Sequence, residues 1–248
     1  MKAVILASGL GTRLADAFPD IPKPLIPVTS IPILGRMLEN LRGRNLSEII
    51  ITTGYRSTQI DAFIASCDHR GLPRIRTVLN PEFKETNYIF SLWLTRGFLT
   101  KEDVLLIHGD MLIDTSLLDR VIGQTGSAVT VSSLPVTETK DFIARVRNHA
   151  VVEIGVGMTG PDTHACMPVY RWSSQDFAVW MRSINSFIQA GKRTNYAEDA
   201  FNALDGAVPL TPVWYEHELC MEIDSQEDLL TAERLLASRE NCRLPSCN

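Results

Sequence analysis

The sequence carries no excess of positive charge: 24 Lys and Arg face 29 Asp and Glu, giving a formal net charge of −5 and a pI near 5.6. The basic footprint of a general nucleic-acid binder is therefore missing, and any phosphate the chain handles must be met locally. No apolar run approaches the ~20 residues that span a bilayer. The N-terminus enters an apolar segment without a basic leader, so the expected location is cytoplasmic and no membrane partner is expected. The five cysteines (Cys67, Cys166, Cys220, Cys242 and Cys247) contain no C-x-x-C pair, which leaves reduced structural or incidental thiols in place of a zinc or redox site. His69, His108, His149, His164 and His217 show no ligand spacing, which argues against a histidine metal site. Repeats, low-complexity tracts and linkers are lacking too.

What is present is ordinary for a folded chain of 248 residues: 45% hydrophobic, 21% charged, mean hydropathy +0.02. Length alone permits one α/β domain or two small ones. Apolar β-rich runs alternate with amphipathic stretches through the first half. Strands are expected at Lys2–Leu6, Glu48–Thr53, Arg74–Leu79 and Asp103–His108, and helices at Ile33–Arg44, Thr58–Ser66 and Thr86–Phe98. That rhythm predicts an α/β fold with a doubly wound, mostly parallel sheet over the first ~110 residues. After Asp110 the pattern turns strand-rich, with a helix at Ser116–Ile122 and strands at Ala128–Leu134, Phe142–Arg147, Val151–Val156 and Ala165–Arg171. Helices follow near Gln175–Ala190 and Glu198–Leu204, then strands at Thr211–Tyr215 and Cys220–Ile223. Ser225–Leu236 reads as a closing helix, with Ser225 as N-cap and Asp228 three residues on. The economical organisation is a single domain over 1–238, split at about 110 into two halves and closed by 225–238, with a frayed tail at 239–248.

The stretch LASGLGTRLADAFPDIPKPLIPV follows the first strand. Gly9 and Gly11 allow backbone N–H groups to turn toward an anion, although an isolated G-x-G is equally a tight turn. The third glycine of a dinucleotide fingerprint is missing, as is a Walker G-K-[ST]. Arg13 follows the turn instead, and Lys23 sits between Pro22 and Pro24, which restrict the backbone on both sides and hold the ammonium at a defined place. Asp110 ends an apolar strand at the sheet edge where α/β folds bind ligands. In MEIDS, Glu222 and Asp224 are two apart and share a face. Asp110, Glu222 and Asp224 would suit a magnesium ion that keeps waters and substrate phosphates, whereas each acid alone is also an ordinary strand end.

The glycine loop with arginine and the P-K-P-L lysine resemble the signature of the sugar-phosphate and phosphocholine nucleotidyltransferases, a Rossmann-like, GT-A-like family. The resemblance is greatest toward the phosphocholine and phosphonate cytidylyltransferases. It implies that an acceptor oxyanion attacks the α-phosphorus of a nucleoside triphosphate and releases pyrophosphate, with Mg2+ held by Asp110 and Asp224 and an acidic neighbour at Glu222. Arg13 would hold the leaving pyrophosphate and Lys23 would bridge donor and acceptor charge. An acceptor that is already anionic needs no general base, so catalysis reduces to positioning and charge neutralisation. The implied nucleotide site comprises Leu6, Ala7, Ser8, Gly9, Gly11, Thr12 and Arg13 of the loop. Asn80, Thr86 and Asn87 complete it through the segment NPEFKETNYIFSLW, which resembles the cytidylyltransferase branch, while the sugar enzymes' E-K-P motif is absent. Thr86 is equally readable as a helix N-cap.

For the acceptor the resemblance points to Lys23, to Phe142 on the strand beginning Lys140-Asp141-Phe142, and to Tyr196, Glu198 and Asp199 in TNYAEDAFN. The acids also fit a plain first helical turn. Arg145 and Arg147, two apart on one strand face, either face solvent or bind a phosphonate. The expected partners are CTP and a small phosphonate such as 2-aminoethylphosphonate, 2-hydroxyethylphosphonate or phosphonoformate, or a phosphate monoester. No nucleic acid is expected and a homodimer is left open. Phosphocholine or phosphoethanolamine transfer, sugar-1-phosphate transfer, and a nucleotide-sensing regulatory role are the alternatives.

Overall fold

A computed structural model describes residues 1–134, 136 and 142–243, with side chains through residue 239. Lys140, Asp141, Cys247 and the side chain of Cys242 lie outside it. The chain opens with β1 (Lys2–Ala7), whose residues 3–7 are all buried because the strand lies mid-sheet with both faces covered. A two-residue hairpin, β2 (Pro27–Val28) with β3 (Ile31–Pro32), leads into α1 (Ile33–Leu41). Then come β4 (Glu48–Thr53), α2 (Ser57–Ser66), β5 (Arg74–Leu79), α3 (Tyr88–Leu94) and β6 (Val104–His108). β1 pairs in parallel with β4 on one side and β6 on the other, and β4 pairs with β5, giving the order β5-β4-β1-β6. The winding therefore reverses between β1 and β6, and their carboxyl ends, at Ala7 and His108, border the crevice where such sheets take ligands.

The second half comprises β7 (Met111–Ile113), α4 (Thr115–Ile122), β8 (Ala128–Ser132), β9 (Phe142–Arg147), β10 (Ala150–Val156) and β11 (Thr163–Trp172). It continues with α5 (Ser174–Gln189), α6 (Ala197–Asn202), β12 (Thr211–Tyr215), β13 (Cys220–Glu222) and α7 (Gln226–Arg243). The last four residues of β11 run antiparallel to β6, while its first three pair with β9, so one long strand carries the β9-β10 hairpin outward from the parallel centre. β8 adds antiparallel to β11 and β12 parallel to β8. Among the described residues nine strands thus share one sheet.

Side-chain alternation along β1 divides the core. Val4 and Leu6 join the layer under Trp172 and Trp180, while Ala3, Ile5 and Ala7 join the layer under Leu34, Met37 and Ile60. The parallel centre and the strand-rich second half match the sequence expectation. Several boundaries differ by a few residues, among them the end of α1 at Leu41 and of β8 at Ser132, and two differences carry consequences. Asn87, with extended backbone, caps α3 by accepting from the Tyr88 N–H at 2.7 Å, so the helix starts after Asn87 and Thr86 is not its cap. α7 runs past the expected Leu236 end to Arg243, pinned where Arg239 pairs with Asp114 and donates to the His217 carbonyl at 2.9 Å. Its start is as expected: Ser225 Oγ accepts from the Asp228 N–H, and the Asp228 carboxylate accepts from the Ser225 N–H. No helix among the described residues is long and apolar enough to cross a membrane.

Candidate active site

At the crevice between β1 and β6 lies a cleft of about 350 Å³. It is lined by the whole expected glycine-loop set, Leu6 to Gly9 and Gly11 to Arg13, together with Lys23, Asn80, Thr86, Asn87, Asp110 and Asp224. Gly11 sits at φ 63°, and a Cβ added there would come within 2.9 Å of Lys23 Cβ, so the left-handed turn and the close approach of Lys23 both require glycine. The two prolines around Lys23 produce a 3-10 turn over Lys23–Leu25, closed by the Ile26 N–H donating to the Lys23 carbonyl at 3.1 Å. That turn aims the lysine into the cleft.

Lys23 Nζ donates to Asp110 and to Asp224, and Arg13 donates to the other Asp224 oxygen at 2.8 Å. The two carboxylates, 114 positions apart in sequence, meet because β13 pairs antiparallel with β7, setting Glu222 opposite Met111, and because the Ile223 N–H donates to the Asp110 carbonyl at 3.0 Å. Burial alone would raise the Asp110 pKa, but the adjacent Lys23 charge outweighs it and holds the carboxyl below its ordinary value. Burial likewise opposes the Lys23 charge, yet Asp110 and Asp224 push its pKa upward. Both groups therefore stay ionised around neutrality.

Asp110 and Glu222 are also linked through His108, which the spacing argument had set aside. His108 Nδ1 lies 3.4 Å from Glu222 Oε1, and ligand atoms of His108, Asp110 and Glu222 all fall within 4.8 Å of one another. Burial lowers the His108 pKa, but Glu222 reverses the sign and the net shift is upward. Glu222 is raised by burial and by Asp110. Asp110 Oδ1 is buried with no hydrogen-bond partner, an orphaned carboxylate oxygen of the kind a hard cation satisfies. The cluster of His108, Asp110 and Glu222 thus has the donors a divalent ion takes, while Asp224 falls outside it and is joined to Asp110 by Lys23. Bound there, such an ion would supply neutralising charge beside the triphosphate.

The uncharged end of the cleft is a connected set of hydroxyls and amides. Asn80, 1% exposed, donates through Nδ2 to Thr86 Oγ1 at 3.1 Å and to Ser91 Oγ at 3.0 Å, and Ser91 Oγ lies 2.6 Å from Ser8 Oγ. Thr86 and Asn80 thereby brace this wall. Asn87 lines the cleft and ties it to the loop before α6, its N–H donating to the Arg193 carbonyl at 2.9 Å.

Beside Asp110 stands an aromatic wall. The Tyr88 ring is 4.6 Å from His108 and 6.0 Å from Tyr196, and Phe142 is 5.2 Å from Tyr196. Phe142 and Tyr196 thus meet each other, while of this wall only Tyr88 and His108 line the cleft. Tyr88, Ser91 and His108 had escaped notice, because nothing in their local spacing marks them. Glu198 is not available to an acceptor: it is 2% exposed and accepts from the hydroxyls of Tyr88 and, at 2.7 Å, Tyr170. Asp199 caps its own helix, accepting from the Tyr196 N–H at 3.1 Å and from Asn195 at 2.8 Å. Arg145 and Arg147 are not brought to the cleft. On β9 the side chains alternate, so Phe142, Ala144 and Val146 pack on the core layer behind the cleft while the arginines take the opposite face. There Arg145 pairs with Glu153 at 3.0 Å, and Arg147 lies 3.8 Å from Asp162. Arg145 is largely covered, also donating to the Pro161 carbonyl at 3.1 Å, and Arg147 is exposed; neither lines the cleft.

A reversing parallel sheet, a glycine loop at its crevice, and a lysine set between two acids together mark this crevice as the candidate site. The chain belongs to the family of the MobA-like NTP transferase domain, whose model matches residues 3–237. It is 32% identical over 145 residues to the CMP-5'-(3-aminopropyl)phosphonate synthase of Streptomyces rubellomurinus, a match covering 58% of this chain and 23% of that protein. It is 33% identical over 105 residues to the choline-phosphate cytidylyltransferase of Streptococcus pneumoniae, covering 42% of this chain and 43% of that one. Both matches span less than half of the relative's length. A solved CTP:phosphocholine cytidylyltransferase from Streptococcus pneumoniae shares the fold over 95% of this chain and 98% of that one, with a TM-score of 0.77 and 23% identity.

Proposed function

We propose that this chain is a CTP-dependent cytidylyltransferase that couples CMP to a small phosphonate or phosphate monoester and releases pyrophosphate. The observation that carries the reading is the joint approach of Arg13 and Lys23 to Asp110 and Asp224 at the mouth of a cleft whose far end is uncharged. Cations and metal-ligating acids belong where a triphosphate sits, and a neutral polar end belongs to a base. Arg13 would bind the departing pyrophosphate. Lys23 would exchange its carboxylate partners for phosphate oxygens as the acceptor oxygen closes on the α-phosphorus. Asp110, Asp224 and Glu222 are proposed to hold Mg2+, which supplies charge neutralisation when bound.

For the acceptor, the loss of Arg145 and Arg147 from the site removes the argument for a second anion subsite. The aromatic wall of Phe142, Tyr196 and Tyr88 favours an acceptor with a cationic end, because an ammonium gains on the face of an aromatic ring. Aminoalkylphosphonates and phosphocholine share that feature, and the matched relatives named for an aminopropylphosphonate and for choline phosphate agree with it. An aminoalkylphosphonate is our first choice. Pyrophosphate release should be assayed with CTP and 2-aminoethylphosphonate, 2-hydroxyethylphosphonate, phosphonoformate and phosphocholine. The reading predicts that the two cationic acceptors outpace the other two. A preference for phosphonoformate would remove the aromatic-wall argument, and turnover only with a sugar 1-phosphate would overturn the acceptor class.

A further inference from the structure

We propose that Ser8 reads the base, and that a one-way chain of hydrogen bonds from Asn80 fixes it as a donor toward the N3 atom of cytosine. This rests on the cytidylyltransferase reading and names what selects the base. The direction of the chain follows from its partners. Asn80 Oδ1 accepts from the Glu82 N–H at 2.9 Å, so its Nδ2 is the donor to Ser91 Oγ at 3.0 Å and to Thr86 Oγ1 at 3.1 Å. Thr86 passes its own proton to the Glu82 carbonyl at 2.7 Å. Ser91 already accepts from Asn80 and lies 2.6 Å from Ser8 Oγ, a contact in which either hydroxyl can donate; we assign the Ser91 proton to Ser8, the hydroxyl nearest it among the described residues. Ser8 therefore accepts from Ser91, and its own proton finds no acceptor among the described residues. Ser8 is 5% exposed and lines the uncharged end of the cleft, so that proton is directed at whatever the cleft holds.

A pyrimidine edge presented to a fixed donor is sorted by its N3 atom. Cytosine offers a lone pair at N3, whereas uracil and thymine carry N3–H, which would leave two buried donors face to face. Had Ser91 been apolar, Ser8 could turn to donate or accept and the distinction would weaken. Ser8 is thus a specificity residue, and Ser91 and Asn80 are positioning residues acting through it.

The test is equilibrium binding of CTP and 3-deaza-CTP, which replaces the N3 lone pair with C–H, in the presence of magnesium. Wild-type protein should bind CTP about tenfold more tightly than 3-deaza-CTP, the worth of one hydrogen bond to a buried donor. Ser8→Ala should bind both at the weaker level. Ser91→Ala, which keeps the Ser8 hydroxyl but frees its orientation, should shrink the ratio to about threefold, between the two. Melting temperatures establish that each variant folds. An undiminished ratio in both variants, or no ratio in the wild type, overturns the relay. If the ratio behaves as stated but CTP releases no pyrophosphate with any acceptor, the relay stands and the transferase reading falls.

Discussion

Lys23 lies between two carboxylates that would otherwise repel each other in a partly buried site, and this arrangement explains why the sequence fences it with prolines. An ammonium on a free loop would pay side-chain entropy at every turnover; one on a closed 3-10 turn is already in place. Lys23→Ala should lower pyrophosphate release by on the order of 10² or more, as removal of a preorganised electrostatic group does elsewhere. Measured turnover close to wild type would make the lysine a purely structural counter-ion. Glu222 sits differently. Its pKa is raised by burial and by Asp110, so its ionisation opposes folding: its contribution is most favourable below the ordinary carboxylate value of 4.5 and is lost as pH rises through the higher folded value. Glu222→Gln should therefore raise the melting temperature at pH 8 in EDTA while weakening the response to added magnesium. A lower melting temperature under those conditions would show that Glu222 gains more from His108 than it loses to Asp110.

At the scale of elements, register decided what local pattern could not. The glycine loop, the P-K-P-L lysine and the late acids were legible because their chemistry is contained in short contiguous stretches. Arg145 and Arg147 were correctly placed on one face of β9, but which face meets the cleft depends on how β9 joins β11, a long-range pairing with no local signature. His108, Tyr88 and Ser91 were missed for the same reason, since each acts only through partners brought from another element. Arg145→Met should leave the acceptor KM unchanged and cost about 1 kcal/mol from the partly exposed pair with Glu153, whereas Phe142→Ala should raise that KM. The opposite ranking in steady-state kinetics would restore the arginines to the site. The parallel centre has its own electrostatic seam. Glu48 on β4 is paired by register with Lys2 on β1 and Arg74 on β5, and accepts from Arg76 at 2.8 Å. Burial would raise its pKa, but Lys2 and Arg76 outweigh it and the folded value is depressed. Its stabilisation is present above the ordinary value of 4.5 and is lost as pH falls through the lower folded one. Glu48→Gln should thus destabilise by on the order of 2 kcal/mol at pH 7, and the wild-type and variant melting temperatures should converge as the pH drops toward 3. A gap that persists there would mean the loss is steric.

For the whole molecule, the fold brings the glycine loop after β1, the acid after β6 and the acids at the end of β13 to one crevice, although they are spread along the chain from its first residues to its last helix. The sequence revealed the parts and their order; the joining of β7 to β13, which makes them one site, needed the structure. The account stands on transfer of CMP within that crevice. The most direct measurement is 31P NMR of the protein with CTP, magnesium and 2-aminoethylphosphonate, alongside Asp110→Asn. The wild type should convert the triphosphate signals to pyrophosphate and a coupled pair from a new phosphonate–phosphate anhydride, with Asp110→Asn folded but slower by on the order of 10² or more. CTP left intact by the wild type with this and the other acceptors, or equal conversion by Asp110→Asn, would contradict it.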